Sequence, residues 1–266
     1  MNAHELFRSG KLDQAIEAMN AEVRSNPADP DRRSFLADML CIVGNFDRAD
    51  VQLDAIAKTL PGAVTTVALI RQLVRAEQWR QQCFKEGRVP EFLAQPDEHI
   101  QLRLRALVEL QGGDVARASA TAEEAEAIRP ALRGSCDGKR FDDLRDCDDI
   151  TAGVFEVLTS TGKYYWVPAD RVIRLELRPI ERARDLVWRR AGMEVRGGPD
   201  GEVYIPAIYA PAPAEAAARL GRTTEWTETT PVRGIGLRTF LVGEETLTLP
   251  QVQVIEFDDA SPAGGR

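Results

Sequence analysis

The sequence predicts an α+β protein of two domains, a helical repeat domain followed by a β-rich, mostly antiparallel domain. In the first half, small residues recur at a fixed spacing, which is typical of stacked helical hairpins. In the second half, β-branched and aromatic residues alternate with polar ones between turn-forming clusters. We expect the helical domain to span residues 1–133, the β-rich domain residues 134–259, and a flexible tail residues 260–266.

Three units of the first half share one template. Each has a glycine, an alanine seven residues before it, an alanine five residues after it and a proline seventeen residues after it, and the glycines are 34 and 69 residues apart. The units are Ala3, Gly10, Ala15 and Pro27; Ala37, Gly44, Ala49 and Pro61; and Ala106, Gly113, Ala118 and Pro130. The alanines let two helices pack closely, the glycine ends the first helix in a left-handed conformation, and the proline stops the second. This pattern resembles the tetratricopeptide repeat.

Polar residues after each glycine are predicted to cap the second helix of each unit. They are Asn45 and Asp47 in the second unit, with Asp13 and Asp114 in the sister units. Between the second and third units, Ala63–Phe84 has apolar residues at steps of three and four, which predicts one long helix ended by Gly87. A short helix is expected at Phe92–Leu93, stopped by Pro96.

The second half predicts about eight short strands in a mostly antiparallel sheet or small open barrel. An acidic, glycine-bearing stretch at residues 133–149 is interpreted as the domain boundary. The predicted strands are Val154–Leu158, Tyr164–Val167, Val172–Leu177, Asp185–Val195, Glu202–Ile208, Thr223–Thr230, Gly234–Val242 and Leu247–Phe257. Trp166, Trp188 and Trp226 lie in these strands, and we expect all three in the core.

Composition limits the classes of function. The 266 residues include 34 Lys and Arg against 42 Asp and Glu, a net charge of −8. Since neither half is basic, a nucleic-acid partner is not expected. The chain has no apolar run near the ~20 residues of a membrane span, and its first residues lack the layout of a signal peptide. We therefore expect a soluble, cytoplasmic protein without a membrane partner.

Cysteine and histidine usage limits the chemistry further. The sequence has four cysteines without a C-x-x-C motif, at Cys41, Cys83, Cys136 and Cys147, and we expect free thiols. The two histidines, His4 and His99, are too few for most hydrolase and metal sites, and His99 follows a Pro-Asp-Glu turn that favours the surface. We therefore expect no cofactor and no metal site.

Blocks of residues along most of the chain carry a resemblance to a known family. In the first half they are Arg33-x-x-Leu36-x-Asp38-Met39-Leu40-Cys41, Gly44-x-x-x-Arg48-Ala49-x-x-Gln52-Leu53, and Ala76-Glu77-x-x-Arg80 with Phe84, Gly87 and Pro90. In the second half they are Phe141, Asp146–Asp149, Tyr165–Pro168, Arg184–Trp188 and Glu202–Pro206 with Tyr209. The sequence resembles the ImpE family of type VI secretion clusters, also called TagJ or SciE. It departs from the family pattern at Asp143, where an aromatic residue is expected.

The resemblance implies a non-enzymatic accessory or adaptor protein of the bacterial cytoplasm. It further implies binding of a helix near the N-terminus of the small sheath subunit, and, for some members, association with the AAA+ unfoldase that recycles contracted sheath. An amphipathic helix laid in a helical groove is a common mode of recognition. The partners expected from the resemblance are therefore proteins.

Aligning the repeats assigns seven residues to the inner helices, facing a partner-binding groove. They are His4, Phe7, Asp38, Cys41, Arg103, Leu107 and Gln111. Phe7 and Leu107 would be apolar anchors, whereas Asp38 and Arg103 would fix the register of the bound helix. An alternative is that the groove is filled by the C-terminal half of the same chain.

Two further interpretations stay open. The first is an enzyme, small-ligand or divalent-metal site at the domain junction, formed by the acidic residues of Asp142–Asp149. Otherwise these acids would cap backbone amides or pair with Arg140 and Arg145. The second is a homodimer formed through the exposed ends of the short helical solenoid.

Overall fold

The structure, a computed structural model, describes residues 1–258, so the tail predicted at 260–266 lies outside the described residues. Within that range the helices are α1 (Ala3–Arg8), α2 (Leu12–Ser25), α3 (Pro30–Ile42), α4 (Phe46–Thr59), α5 (Val64–Glu86), α6 (Glu98–Gln111), α7 (Val115–Ala127) and α8 (Ala216–Arg219). Seven of these eight precede the first strand, which agrees with the predicted α+β class. Along residues 1–258, no helix combines the length and apolar character that crossing a bilayer requires.

Helices α1–α2, α3–α4 and α6–α7 pack as hairpins. Each hairpin turns at a glycine with positive φ, namely Gly10 (+81°), Gly44 (+73°) and Gly113 (+80°). This confirms the predicted left-handed glycines. The long helix predicted between the second and third units is also confirmed as α5, which ends at Gly87 with φ +75°.

The capping prediction holds for two of the four residues. The side chains of Asn45 and Asp114 accept backbone N–H groups in the first turns of α4 and α7. It is wrong for Asp13, because α2 begins after Lys11, which makes no side-chain cap. Asp13 and Asp47 lie inside the first turns of their helices instead. A carboxylate at this position interacts favourably with the helix dipole.

The prediction of a short helix that begins at Phe92–Leu93 is wrong. Residues 92–97 form no helix and bend at Leu93 and Ala94, while Glu91 forms a parallel bridge with Tyr165. Its N–H donates to the carbonyl of Tyr164 at 2.9 Å, and its carbonyl accepts from the N–H of Trp166 at 3.0 Å. Pairing with a strand edge is favoured here because so short a segment cannot recover the cost of helix nucleation.

The strands form three antiparallel groups. They are β1 (Gly134–Cys136), β2 (Lys139–Phe141), β3 (Leu144–Asp146), β4 (Val154–Leu158), β5 (Tyr164–Pro168), β6 (Val172–Leu177), β7 (Trp188–Val195), β8 (Gly201–Pro206), β9 (Thr224–Trp226), β10 (Gly234–Gly236), β11 (Thr239–Val242), β12 (Glu245–Thr248) and β13 (Val254–Phe257). The largest sheet has the order β2-β1-β13-β6-β7-β8-β4-β5, and smaller ones are β12-β11-β3 and β10-β9. The predicted antiparallel character is confirmed.

Several strand boundaries differ from the prediction. Strands β1 to β3 lie in the stretch interpreted as a boundary, because strands of three residues show too little alternation to recognise. The single strand predicted at Gly234–Val242 is split into β10 and β11 around Arg238, whose side chain is buried. The strand predicted at Leu247–Phe257 is interrupted by a 3-10 turn at Leu249–Gln251, since Pro250 cannot donate to a ladder.

The large sheet separates two apolar cores. On one face, Tyr164 and Trp166 join the core of the helical hairpins. On the other face, Phe155 packs against Phe240 of β11, with ring centroids 5.9 Å apart. Trp166 and the strand β7 residue Trp188 are buried as predicted, whereas Trp226 is 38% exposed, so its assignment to the core is wrong. The helices and one face of the large sheet therefore share a core, and the other face packs in a second core.

Candidate functional site

A buried arginine of α5 joins the helices to the sheet. Arg80 Nε donates to Oε1 of Glu156 on β4 at 2.8 Å, and its Nη2 donates to the carbonyl of Ile208 at 2.9 Å. Nη1 reaches Oε1 of Glu77, one helical turn away, at 3.3 Å. One guanidinium group thus holds a helix, a strand and the loop after β8 together.

A second buried arginine extends this network into the small sheets. Arg238 donates to the carboxylates of both Asp146 and Glu156. The hydroxyl of Tyr209 donates to Oδ1 of Asp146 at 2.7 Å and accepts from the N–H of Thr239 at 3.0 Å. The network is fully enclosed, which is where unpaired charges would be most costly.

Charge pairing decides the protonation of Glu156. Burial alone would raise the pKa of this carboxyl, but the guanidinium groups of Arg80 and Arg238 outweigh burial and lower its pKa to about 2. Burial also raises the pKa of the Tyr164 phenol, which donates to Oε1 of Glu156. Glu156 is therefore a carboxylate that receives donors from three side chains, and it serves as the centre of the junction.

Among the acidic residues of Asp142–Asp149, Asp142 is exposed, whereas the other four are engaged in the same junction. Their partners are Arg129 Nη1 for Asp143 (3.0 Å), Arg233 Nε for Asp148 (2.8 Å) and Arg145 Nη2 for Asp149 (2.6 Å), besides Arg238 for Asp146. Asp146 and Asp148 also cap backbone amides two residues on. The expected pairing with Arg145 is confirmed, whereas Arg140 pairs with Asp258 instead. Carboxylates committed to arginines and amides form a scaffold rather than an open set of cation ligands.

The structure covers much of the predicted groove with the chain's own second half. Asp38 is buried, and its Oδ1 accepts from Nη1 of Arg184, in the 3-10 turn before β7, at 2.7 Å. Arg103 is fully buried and donates to the carbonyl of Asp149. Leu107 is buried as well. At Asp38 and Arg103 the contacts with the second half of the chain are those expected from the alternative of a self-filled groove.

The other predicted groove residues do not share one surface. Gln111 Nε2 donates to the carbonyl of Cys83 at 2.7 Å, and Cys41 is buried at the end of α3. His4 is exposed and stacks on Phe35 with ring centroids 4.2 Å apart, and Phe7 meets the same ring edge-on at 5.3 Å. The structure therefore brings His4 and Phe7 together on the first hairpin, but it does not gather the seven residues on one open face.

A cavity of about 330 Å³ opens between α3, α5 and β7. Its walls include Phe46 and Trp188, whose rings lie 6.4 Å apart at 24°. At the floor, Oε2 of Glu77 accepts from Nε1 of Trp188 at 3.2 Å. Cys41 lines the cavity too, which makes it the predicted groove residue that faces this space.

The cavity continues into an open depression of about 610 Å³ along α5. Phe46, Gln81 and Lys85 line both spaces, and we call the joined spaces the junction cleft. Its cationic side chains besides the buried Arg80 are Arg75, Lys85, Arg88 and Arg219, against the exposed acid Glu86. Sequence reasoning missed this cleft because its residues come from five separate segments of the chain.

The thiols near the cleft are protonated packing groups. Burial, together with Asp38, raises the pKa of Cys41 far above neutral. Burial likewise raises the pKa of Cys83 to about 12. A thiol needs a lowered pKa to act as a nucleophile at neutral pH. The predicted free thiols are confirmed at Cys41, Cys83, Cys136 and Cys147.

His99 is buried, so its predicted surface position is wrong. It is 5% exposed and packs against Gly153, where an added Cβ would lie 2.9 Å from its Cε1. Burial and the nearby Arg103 guanidinium lower the pKa of its imidazole. The sequence around His99 suggested a turn, but the C-terminal half of the chain covers it.

The fold defines an α+β protein in which helical hairpins and one face of an antiparallel sheet share a core, with an open cleft at their junction. Residues 138–256 match the model of the ImpE protein family. Over 260 residues, covering 97% of this chain and 92% of the relative, the sequence is 32% identical to the type VI secretion system accessory component TagJ of Pseudomonas aeruginosa. The chain therefore belongs to the ImpE/TagJ family, as the sequence blocks predicted.

A solved structure has the same fold along nearly the whole chain. The X-ray crystal structure of protein VPA1032 from Vibrio parahaemolyticus superposes with a TM-score of 0.89 at 28% sequence identity. The match covers 96% of this chain and 97% of that chain. The joined helical and β-rich halves are thus shared with a solved structure as one unit.

Proposed function

We propose that this protein is a non-enzymatic accessory component of a bacterial type VI secretion system. It acts in the cytoplasm as an adaptor that binds a helical segment of a sheath component. The observation that supports this role most strongly is the 32% identity to an accessory component of this system over 97% of the chain. A similarity that spans both halves favours a shared role rather than a shared domain.

The junction cleft is the surface we assign to the helical segment. Phe46 and Val43 are partly exposed and line the cleft, and Phe46 stacks on the buried Trp188. One side of an amphipathic helix would lose its contact with water against them. Arg75, Lys85 and Arg88 line the cleft in a chain whose net charge is −8. This charge pattern favours a partner helix with acidic residues beside its apolar stripe.

The seven residues predicted from the repeats take different places in this proposal. Cys41 faces the cleft and would contact the bound helix. His4 and Phe7 form an aromatic surface with Phe35, which we assign to a second protein contact, such as the AAA+ unfoldase. The other four residues would hold in place the helices that form the binding surface. They are Asp38, Arg103, Leu107 and Gln111.

The test is binding of the purified small sheath subunit from the same secretion cluster, measured by calorimetry. The variant Arg75→Glu/Lys85→Glu reverses two charges in the cleft and is expected to weaken binding about tenfold or more. The control Lys11→Glu/Lys58→Glu makes the same change in net charge at exposed positions outside the cleft, and it should bind like the wild type.

Equal weakening in both variants would assign the effect to net charge rather than to the cleft. Full binding by the cleft variant would overturn the cleft assignment. If the wild-type protein does not bind the sheath subunit while light scattering shows a stable homodimer, the adaptor proposal itself fails. Melting temperatures of all variants show whether each one folds.

A further inference from the structure

Three potential metal ligands meet where α6 begins and where the chain leaves β5. Asp97 and His99 flank the start of α6, and Asp170 lies in the 3-10 turn Ala169–Arg171 after β5. One ligand atom from each of the three side chains lies within 4.8 Å of the other two. The cluster is separate from both the junction cleft and the acidic stretch that holds the small sheets.

Several buried polar atoms of this cluster lack the hydrogen-bond partners that buried polar atoms normally have. Both ring nitrogens of His99 are buried without a hydrogen bond, and Oδ1 of Asp170 is in the same state. His99 as a whole is 5% exposed. Buried polar atoms almost always have a donor or acceptor, so an unpaired imidazole beside an unpaired carboxylate oxygen points to a missing ligand.

Asp97 adds a third group that its own helix does not use. It occupies the N-cap position of α6 with an extended backbone, the place where an aspartate usually accepts helix N–H groups. Its side chain nevertheless makes no capping hydrogen bond. The carboxylate is instead the exposed member of the cluster with His99 and Asp170.

We propose that Asp97, His99 and Asp170 bind one divalent transition-metal ion, with Zn²⁺ as the best fit. One imidazole and two carboxylates are the donor set that suits this class of ion. An ion at its usual ~2.1 Å from each ligand atom would hold those atoms about 3.4 Å apart, so small side-chain rotations close the cluster around it.

The surroundings give the ion access and space. A cavity of about 60 Å³ is lined by Asp97 together with Pro168, Arg171 and Gly198. It reaches the cluster at Asp97, its exposed member, and has room for water. Gly153 leaves room for the imidazole, since any Cβ there would press on the ring. The bound ion would fasten the start of α6 to the sheet and would thereby be structural.

The test is titration of the full-length, chelator-treated protein with ZnCl₂, by calorimetry and by the shift in melting temperature. We expect one Zn²⁺ per chain and a higher melting temperature. His99→Gln and Asp170→Asn should each weaken binding about tenfold or more and remove the melting shift. His4→Gln is the matched control, because it removes the other histidine from an exposed position, and it should bind like the wild type.

Asp97→Asn serves as the variant that keeps the fold, because Asp97 is exposed and its side chain caps nothing. A weaker affinity in this variant, with an unchanged apo melting temperature, would support the site. Since all variants keep the four cysteines, unchanged Zn²⁺ binding in His99→Gln would assign the ion to thiols and overturn the proposal. Failure of the wild type to bind Zn²⁺ or Mn²⁺ would overturn it as well.

Discussion

Arg80 of α5 and Glu156 of β4, 76 residues apart in the chain, share two hydrogen bonds in a fully buried junction. Arg238 donates to the same carboxylate. Two arginines and one glutamate thus hold the helices, the large sheet and the small sheets in one arrangement. Because an unpaired buried charge is costly, removing one of these three side chains should destabilise the fold by leaving its partners unpaired.

The first prediction concerns the centre of this junction. Glu156→Gln removes the negative charge between Arg80 and Arg238 and should lower the free energy of unfolding by about 3–5 kcal/mol. Urea denaturation followed by circular dichroism measures the loss. Lys58→Met, which breaks an exposed pair with Asp54 at 2.6 Å, should cost far less. If Glu156→Gln loses as little stability as Lys58→Met, burial does not strengthen the pairing of Glu156 with its two arginines.

The second prediction concerns acid stability. The pKa of Glu156 is lowered from 4.5 to about 2, so its contribution is complete above the unfolded value and is lost as pH falls from about 4.5 through about 2. A shift of this size corresponds to about 3 kcal/mol. Denaturation curves at several pH values should show this loss in the wild type and a flatter profile in Glu156→Gln. Parallel profiles would contradict the assignment.

The third prediction concerns the contact between α3 and the turn before β7. Burial raises the pKa of Asp38, an effect that Arg184 opposes. Arg184→Met would leave this carboxyl buried without its partner and should destabilise the fold by about 3 kcal/mol. In the double variant Asp38→Leu/Arg184→Met, we expect part of the stability to return. A double-mutant cycle with purely additive losses would show that the pair is not coupled.

The fourth prediction concerns the hairpin glycines. Gly44→Ala and Gly113→Ala place a Cβ on backbones with φ of +73° and +80°, where the surroundings are open. The loss of stability should therefore come from the backbone alone, at about 1–2 kcal/mol per site. Gly62→Ala is the control, since this glycine is equally open but not at positive φ. Thermal unfolding of the three variants should show a lower melting temperature for Gly44→Ala and Gly113→Ala but not for Gly62→Ala.

The helical half was predictable because its signals are local. The glycines of the template terminate helices within their own units, and the apolar spacing that defines α5 lies within Val64–Glu86. The antiparallel strands β4 to β6 were found for the same reason, since each has enough residues to show its pattern. Strands of three residues, such as β1, carry no such signal and become visible only through their pairing.

The candidate site was less predictable because its contacts are distant in sequence. Asp38 and Arg184 are 146 residues apart, so alignment of repeats placed Asp38 on the inner helices without revealing its partner. Leu107 illustrates the consequence, because it is buried and Leu107→Asp would disrupt packing rather than report on binding. His99 and Asp170 likewise meet only in the folded chain.

The bridge between Glu91 and strand β5 has a consequence for solubility. An outer strand leaves a row of unpaired backbone groups that can recruit strands from other molecules and start aggregation. Here the N–H and carbonyl of Glu91 bond to Tyr164 and Trp166 on the outer side of β5. The segment between α5 and α6 therefore shields one border of the large sheet from intermolecular strand addition, which protects the protein at high concentration.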